Sequence, residues 1–198
     1  VPDGDGNALA FDDVTATHLP QAPELHALDI ALADFDGDGD LDAALAVEGA
    51  PNRLYLNDGQ GRFAMREGTF GQRPHDTEHV RAADFDRDGR MDVIFVAEDD
   101  RVHQLFLGRG DGSFADASER LPAMSVGNGL AVGDVNGDGL PDIVVGNSGM
   151  TGARGEDGGR NFLWLNDPRQ PGWFEDVSAT HLPAIANRAQ GVALVDLD

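Results

Sequence analysis

The stretch DFDGDGDLD, Asp34 to Asp42, places five aspartates in nine residues directly after the apolar run IALA, Ile30 to Ala33. Charge packed that densely at the end of a strand-like segment repels itself unless something is held there. The stretch returns as DFDRDGRMD from Asp84 and as DVNGDGLPD from Asp134, at two steps of 50 residues. A further copy opens as VALVDLD, Val192 to Asp198, with Asp196 standing 62 residues after Asp134. Self-similarity at such a period is the mark of a repeat architecture.

The segments between the acidic stretches repeat as well: NRLYLNDGQGRF (Asn52 to Phe63), HQLFLGRGDGSF (His103 to Phe114) and NFLWLNDPRQPGWF (Asn161 to Phe174). Each reads as an apolar strand, a turn and an aromatic residue. FDDVTATHLP (Phe11 to Pro20) and FEDVSATHLP (Phe174 to Pro183) match over ten residues at a distance of 163, and FADASERLP (Phe114 to Pro122) is a looser copy. In the first unit the pattern predicts strands at about Leu28 to Ala33, Leu41 to Val47, Arg53 to Leu56 and Arg62 to Met65. Asn57-Asp58-Gly59 supplies the hairpin turn between the last two, since such residues tolerate positive φ. Helical periodicity is nowhere sustained. Four short strands per 50 residues predict an all-β fold of β-propeller-type four-stranded blades, each covering the apolar face of its neighbour. A parallel β-helix needs a much shorter period. We expect one propeller segment over 1–198, with repeats at about 21–70, 71–122 and 123–183 and partial repeats at 1–20 and 184–198.

Positions one, three, five and nine of the loops are Asp34, Asp36, Asp38 and Asp42; Asp84, Asp86, Asp88 and Asp92; and Asp134, Asn136, Asp138 and Asp142. Side chains at alternate positions of a tight loop converge on one point. The backbone carbonyl of position seven (Asp40, Arg90, Leu140) adds an oxygen, and its side chain is free to vary for that reason. Hard oxygen donors in a flexible arrangement suit Ca²⁺ better than Mg²⁺ or Zn²⁺. Three complete Ca²⁺ sites are expected, with Asp196 and Asp198 as part of a fourth, shared or truncated, site. An EF-hand is excluded: it requires Glu at position twelve between two helices, and Leu45, Phe95 and Val145 stand there within β-type runs. The competing reading, solvated Asx turns that cap backbone amides, does not account for ligand positions kept in three copies.

With its small-residue strand (GLAVGD, Gly129 to Asp134) and its LYLNDGQGRF-type hairpin, the D-x-[DN]-x-D-G-x-x-D loop resembles the FG-GAP/VCBS repeats of integrin-α-type β-propellers. The resemblance covers essentially the whole chain. It implies Ca²⁺ in the loop joining the first two strands of each blade. Such propellers usually have about seven blades, so ring closure is not accounted for by this chain.

Composition narrows the function. The net charge is −22, from 36 acidic and 14 basic residues, all of the latter arginine. Nucleic acid is not expected as a partner, because phosphate binding needs clustered cations, nor are anionic membrane surfaces. There is no cysteine, which removes disulfides and thiolate sites and leaves the compartment open. No apolar stretch reaches the length of a membrane span. Weak Ca²⁺ sites fill only where the ion is abundant, so an extracellular, secreted or cell-surface location is expected. The expected function is non-catalytic adhesion, recognition or assembly, with a protein or glycan at the cell surface, or further copies of the chain, as partner. The alternatives are the propeller part of a secreted polysaccharide-processing enzyme and a subunit of a head-to-tail filament.

No G-x-S-x-G, H-E-x-x-H or phosphate-loop motif is present, and the 36 acids leave a carboxylate pair for glycoside hydrolysis open, although the conspicuous ones have a metal-binding explanation. His18 and His181 fall in the repeated ATHLP and read as structural; His75 and His79, in RPHDTEHVR, read as surface residues rather than as a metal or base pair. Trp164, Trp173 and Tyr55 fall at strand positions and read as packing residues. The third unit is nine residues longer than the first between its second strand and its hairpin, in the glycine-rich stretch Asn147 to Arg160, expected to be a surface loop. Its ARGED only superficially resembles an integrin-recognised tripeptide. The chain begins at Val1 without a leader and stops within its last repeat, and reads as an excerpt of a longer ectodomain or as a subunit that neighbouring copies complete.

Overall fold

A computed structural model of the chain describes residues 12–21, 25–122, 126–148, 159–185 and 189–197. Four strands, β1 (Ala27–Ala33), β2 (Asp42–Ala50), β3 (Arg53–Asn57) and β4 (Phe63–Arg66), pair in sequence as an antiparallel meander. The pattern recurs in β5 (His75–Ala83), β6 (Asp92–Ala97), β7 (Gln104–Gly108) and β8 (Phe114–Asp116). It recurs again in β9 (Gly127–Gly133), β10 (Asp142–Asn147), β11 (Phe162–Asn166) and β12 (Phe174–Asp176). This all-β arrangement of antiparallel sheets is consistent with a β-propeller-like fold.

The boundaries differ from the sequence expectation in one consequential place. β2 runs on to Ala50, and its end pairs with β5 through Glu48↔Asp76 and Ala50↔His75. The first two meanders therefore share one eight-stranded sheet, while the third stands as a four-stranded sheet of its own.

Packing between units explains the apolar pattern. Ala31, Ala33, Phe35, Ala44, Ala46 and Leu54 of the first unit form one cluster with Phe70 and with Val80, Val93, Phe95 and Phe106 of the second. Small residues on one face receive large rings from the other, which fills space at crystal-like density. Ile94, Val96, Leu105 and Leu107 point the other way, against Leu130, Ile143, Val145, Phe162 and Trp164 of the third unit. β6 is thus buried on both faces, and that is why VIFVA is a continuous apolar run rather than an alternating one. Each of its fully buried side chains contributes about 1.5–3 kcal/mol. Trp164 and Tyr55 are core residues, as expected; Trp173 is not, since it precedes β12, is 37% exposed and carries Arg120 5.5 Å above its ring.

The segment 189–197 lies against the third unit without forming a ladder strand. Ala189 N–H donates to the Asn147 carbonyl at 3.0 Å. A Cβ on Gly129 would stand 3.2 Å from Val192, and one on Gly133 3.2 Å from Leu194. The small residues of GLAVG are therefore what admit the segment.

Two single-turn helices, α1 (Thr15–His18) and α2 (Ser178–His181), and a 3-10 turn at Ser118–Arg120 follow the repeated Phe-x-Asp, where the periodicity gives no helix. An aspartate two residues before each accepts its first N–H: Asp13, Asp116 and Asp176 accept those of Thr15, Ser118 and Ser178 at 2.9–3.0 Å. The Ser118 and Ser178 hydroxyls in turn accept the N–H of Leu105 and Leu163 at 3.2 and 2.9 Å. His18 and His181 sit beside the Thr17 and Thr180 hydroxyls at 2.8 Å, in keeping with a structural role. Of the Asn147 to Arg160 loop, residues 149–158 lie outside the described residues, as do Val1 to Gly6 and Asp198.

The residue opening each third strand also has a reason. Asn52 and Asn161 accept the N–H of Val47 and Asn147 through Oδ1 at 3.0 and 3.1 Å, and His103 accepts that of Ala97 through Nδ1 at 3.1 Å. Burial holds the His103 ring neutral, its pKa lowered from 6.5 to about 4. The unfolded chain therefore takes up the proton first, so this contribution to stability is complete above pH 6.5 and is lost as pH falls toward 4. His103→Asn keeps an acceptor there and removes the titration. Urea melts across that pH range are expected to show a smaller acid-induced loss for the variant than for the parent, and identical losses would refute this account.

Candidate metal centre

Each acidic loop joins the first two strands of its unit: 34–42 between β1 and β2, 84–92 between β5 and β6, and 134–142 between β9 and β10. The first aspartate ties the loop to itself. Asp34, Asp84 and Asp134 accept, through Oδ2, the N–H of the glycine at position six (Gly39, Gly89, Gly139) at 3.0, 2.9 and 2.8 Å. Position five does the same locally, with Asp38, Asp88 and Asp138 accepting the N–H of Asp40, Arg90 and Leu140 at 2.8–2.9 Å. The amide-capping geometry of an Asx turn is thus present, and it leaves further lone pairs on every one of these carboxylates.

Position nine has a role that its spacing conceals. Asp42, Asp92 and Asp142 are fully buried. Oδ2 of each accepts the N–H of position two (Phe35, Phe85, Val135) at 2.9, 2.8 and 3.0 Å. Oδ1 accepts the N–H of the residue closing the third strand (Asn57, Gly108, Asn166) at 2.8, 2.8 and 2.9 Å. One carboxylate therefore fastens the loop to the hairpin behind it.

These side chains converge in two of the loops. Asp34, Asp36 and Asp42 offer oxygens that all lie within 4.8 Å of one another, and so do Asp84, Asp86 and Asp92. Asp86 Oδ1 is buried without a hydrogen-bond partner, a donor atom of the kind a hard cation satisfies. Burial, with the charges of Asp38 and Asp34 adding to it, raises the Asp36 pKa. Burial likewise raises those of Asp42 and Asp142, and pushes Asp92 up to about 7, with Asp86 and Asp88 adding to the effect. A site that resists holding its own negative charge in this way favours a bound cation.

The third loop is different. Asn136 replaces one carboxylate and donates from Nδ2 to Asp138 Oδ2 at 3.1 Å, and amide hydrogen bonds, that of Gly139 foremost, lower the Asp134 pKa. Position seven is not interchangeable either. The Leu140 side chain is fully buried, Arg90 forms an ion pair with Asp88, and the Asp40 carboxylate packs over Gly59, where a Cβ would run into Oδ2. Asp196 is absent from the acid clusters among the described residues.

His75 and His79 do not form a pair. His75 is buried and meets Asp100 at 2.6 Å, while His79 meets Asp29 of the first unit at 3.1 Å, together with Arg81 at 2.6 Å. Both are therefore ties between acidic and basic groups rather than surface residues. One acid cluster escaped the sequence reading: Asp76, Glu98 and Asp99, at the opposite ends of β5 and β6 from the 84–92 loop. The run AEDD, Ala97 to Asp100, was the available signal, but its partner Asp76 lies two strands' length away in the chain.

Residues 34–95 and 92–145 match the model of the FG-GAP-like repeat. The chain belongs to the FG-GAP-like repeat family. It is also similar to cartilage acidic protein 1 of Mus musculus, 30% identical over 147 residues, which cover 68% of this chain and 23% of that protein. The Homo sapiens and Xenopus tropicalis proteins of the same name are each 29% identical over 154 residues, 72% of this chain and 23% of theirs. The chain thus spans about a quarter of the length of these relatives. The two FG-GAP-like matches begin at Asp34 and at Asp92 and take in all three acidic loops.

The double role of position nine in these FG-GAP-like loops can be tested without metal. In EDTA, Asp92→Ala leaves the buried Phe85 and Gly108 amides without an acceptor and is expected to cost about 2–4 kcal/mol. Asp88→Ala, on the exposed side of the same loop, is expected to cost less than about 1 kcal/mol. Equal costs in denaturant melts would refute the fastening role.

Proposed function

We propose that this chain is a Ca²⁺-binding segment of a β-propeller, each four-stranded meander forming one blade, and that it acts outside the cell as a non-catalytic module for adhesion, recognition or assembly. The observation that carries the reading is the convergence of Asp34, Asp36 and Asp42, and again of Asp84, Asp86 and Asp92, at equivalent strand junctions 50 residues apart. The orphaned Asp86 Oδ1 supports it, as does the family's repeat. Asp38, Asp88 and the third-loop set Asp134, Asn136, Asp138 and Asp142 would complete or repeat the site, with the backbone carbonyls of Asp40, Arg90 and Leu140. A cation there replaces carboxylate repulsion with a brace between the first two strands. Position nine passes that brace on to the third.

The partner is a protein or glycan at the cell surface, or further repeat units of the same kind. Packing favours assembly: Ile30 and Leu32 are 53% and 55% exposed, whereas Val80 and Leu130, the equivalents of Ile30, are 0% and 1% exposed. An extracellular setting fits weak sites of this chemistry, and the name of the relatives refers to cartilage.

For Kd values of about 0.1–1 mM and about 1 mM free ion, linkage gives roughly 0.4–1.4 kcal/mol per site. Thermal melts in millimolar CaCl₂ are expected to lie above those in EGTA, with MgCl₂ giving a smaller rise. An unchanged melting temperature, together with no Ca²⁺ retained on equilibrium dialysis, would sink the proposal.

A further inference from the structure

Position four of the acidic loops is glycine in the first and third copies, where Gly37 and Gly137 have φ of +81° and +79°. In the second copy it is Arg87, which keeps the same left-handed conformation at φ +61°. A side chain there is unfavourable for an L-residue and needs an outside contact to hold it. That contact is in the next unit: Arg87 Nη2 donates to the backbone carbonyl of Asp138 at 2.9 Å. The guanidinium lies so close over the third loop that a Cβ on Gly139 would stand 2.7 Å from Nη2.

We propose that Arg87 is a strut through which the second loop positions the third, so that Ca²⁺ binding at the two loops is coupled while the first loop binds on its own. The inference rests on the Ca²⁺ reading above. Arg87 stands between Asp86 and Asp88, two candidate ligands of the second loop, so a cation drawing them inward fixes the backbone that aims the guanidinium. Its acceptor belongs to Asp138, a candidate ligand of the third loop, whose Oδ1 already accepts the Leu140 N–H at 2.8 Å. Holding that carbonyl presets the loop which, having Asn136 in place of a carboxylate, has the least charge with which to capture the ion. By linkage the help is reciprocal. The first loop has no such strut to offer the second, because Gly37 has no side chain.

The amides of Gly39, Gly89 and Gly139 each donate to the first aspartate of their own loop and so report the three loops separately in a ¹⁵N-resolved NMR titration of the full chain with CaCl₂. In the parent, Gly89 and Gly139 are expected to share one midpoint with a Hill coefficient above one, and Gly39 to follow its own. In Arg87→Gly, which adopts the residue of the sister loops, the Gly139 midpoint is expected to rise about five-fold, with Hill coefficients of one and Gly39 unmoved. Arg87→Ala, which keeps the strained position but loses the strut, is expected to raise both the Gly89 and Gly139 midpoints. Three shifting amides with a Gly139 midpoint unchanged in both variants would overturn the coupling and leave the Ca²⁺ reading standing. No Ca²⁺-dependent shift of any of the three in the parent would overturn both.

Discussion

Everything at the loop end of this molecule depends on a buried carboxylate that accepts two backbone amides. Asp42, Asp92 and Asp142 each join the second residue of an acidic loop to the last residue of the third strand. That tie sets the loop against the hairpin behind it, with Asn57 and Asn166 adding side-chain bonds to the Leu41 and Pro141 carbonyls in the first and third units, and in the first two loops the acids are held to one small volume. Burial, with the charge of neighbouring aspartates adding to it, raises the pKa of Asp36 and of Asp92. The same residues thus define the fold of the loop and set up the electrostatic condition that a cation relieves.

Communication between units follows a similar economy of parts. The second carbonyl of a loop is taken by the next unit: Gly112 N–H donates to Phe35 O at 3.0 Å, and Asn166 Nδ2 to Phe85 O at 2.9 Å. Arg87 adds a third link, from the second loop to the third. Further into the sheets, Asp29 of β1 meets His79 and Arg81 of β5, and these contacts lower its pKa to about 2 against the cost of its burial. Arg87 therefore gives the second loop a direct contact with the third, while the first loop reaches the hairpin of the next unit.

Much of the fold was legible because the repeat displays each element several times. The strand positions of the first unit come within about three residues of the observed ones, and the hairpin at Asn57 to Gly59 falls where its turn residues place it. What escaped the sequence has common physical causes. The overrun of β2 to Ala50 exists only because β5 is there to pair with it. The helices at Thr15 and Ser178 are single turns of four residues, each with an aspartate accepting its first N–H, and are too short to show a period. His75 looked like a loop residue, yet it is buried through its contact with Asp100, 25 residues away. The acids Asp76, Glu98 and Asp99 meet across a β5–β6 junction that no local spacing encodes.

By itself the sequence determined the all-β class, the period of 50 residues, and the positions of the acidic loops, because alternation, turn chemistry and carboxylate spacing are properties of neighbours along the chain. Tertiary structure alone decided which aspartates converge, that those of position nine also fasten strands, that Leu140 is core where Arg90 is an ion-pair partner, and that Arg87 reaches Asp138. Those outcomes depend on burial and on contacts between units, which are fixed only when separate sheets pack. An aspartate in a nine-residue motif reads the same at every position until packing decides which of its oxygens face amides and which face the other carboxylates of its loop.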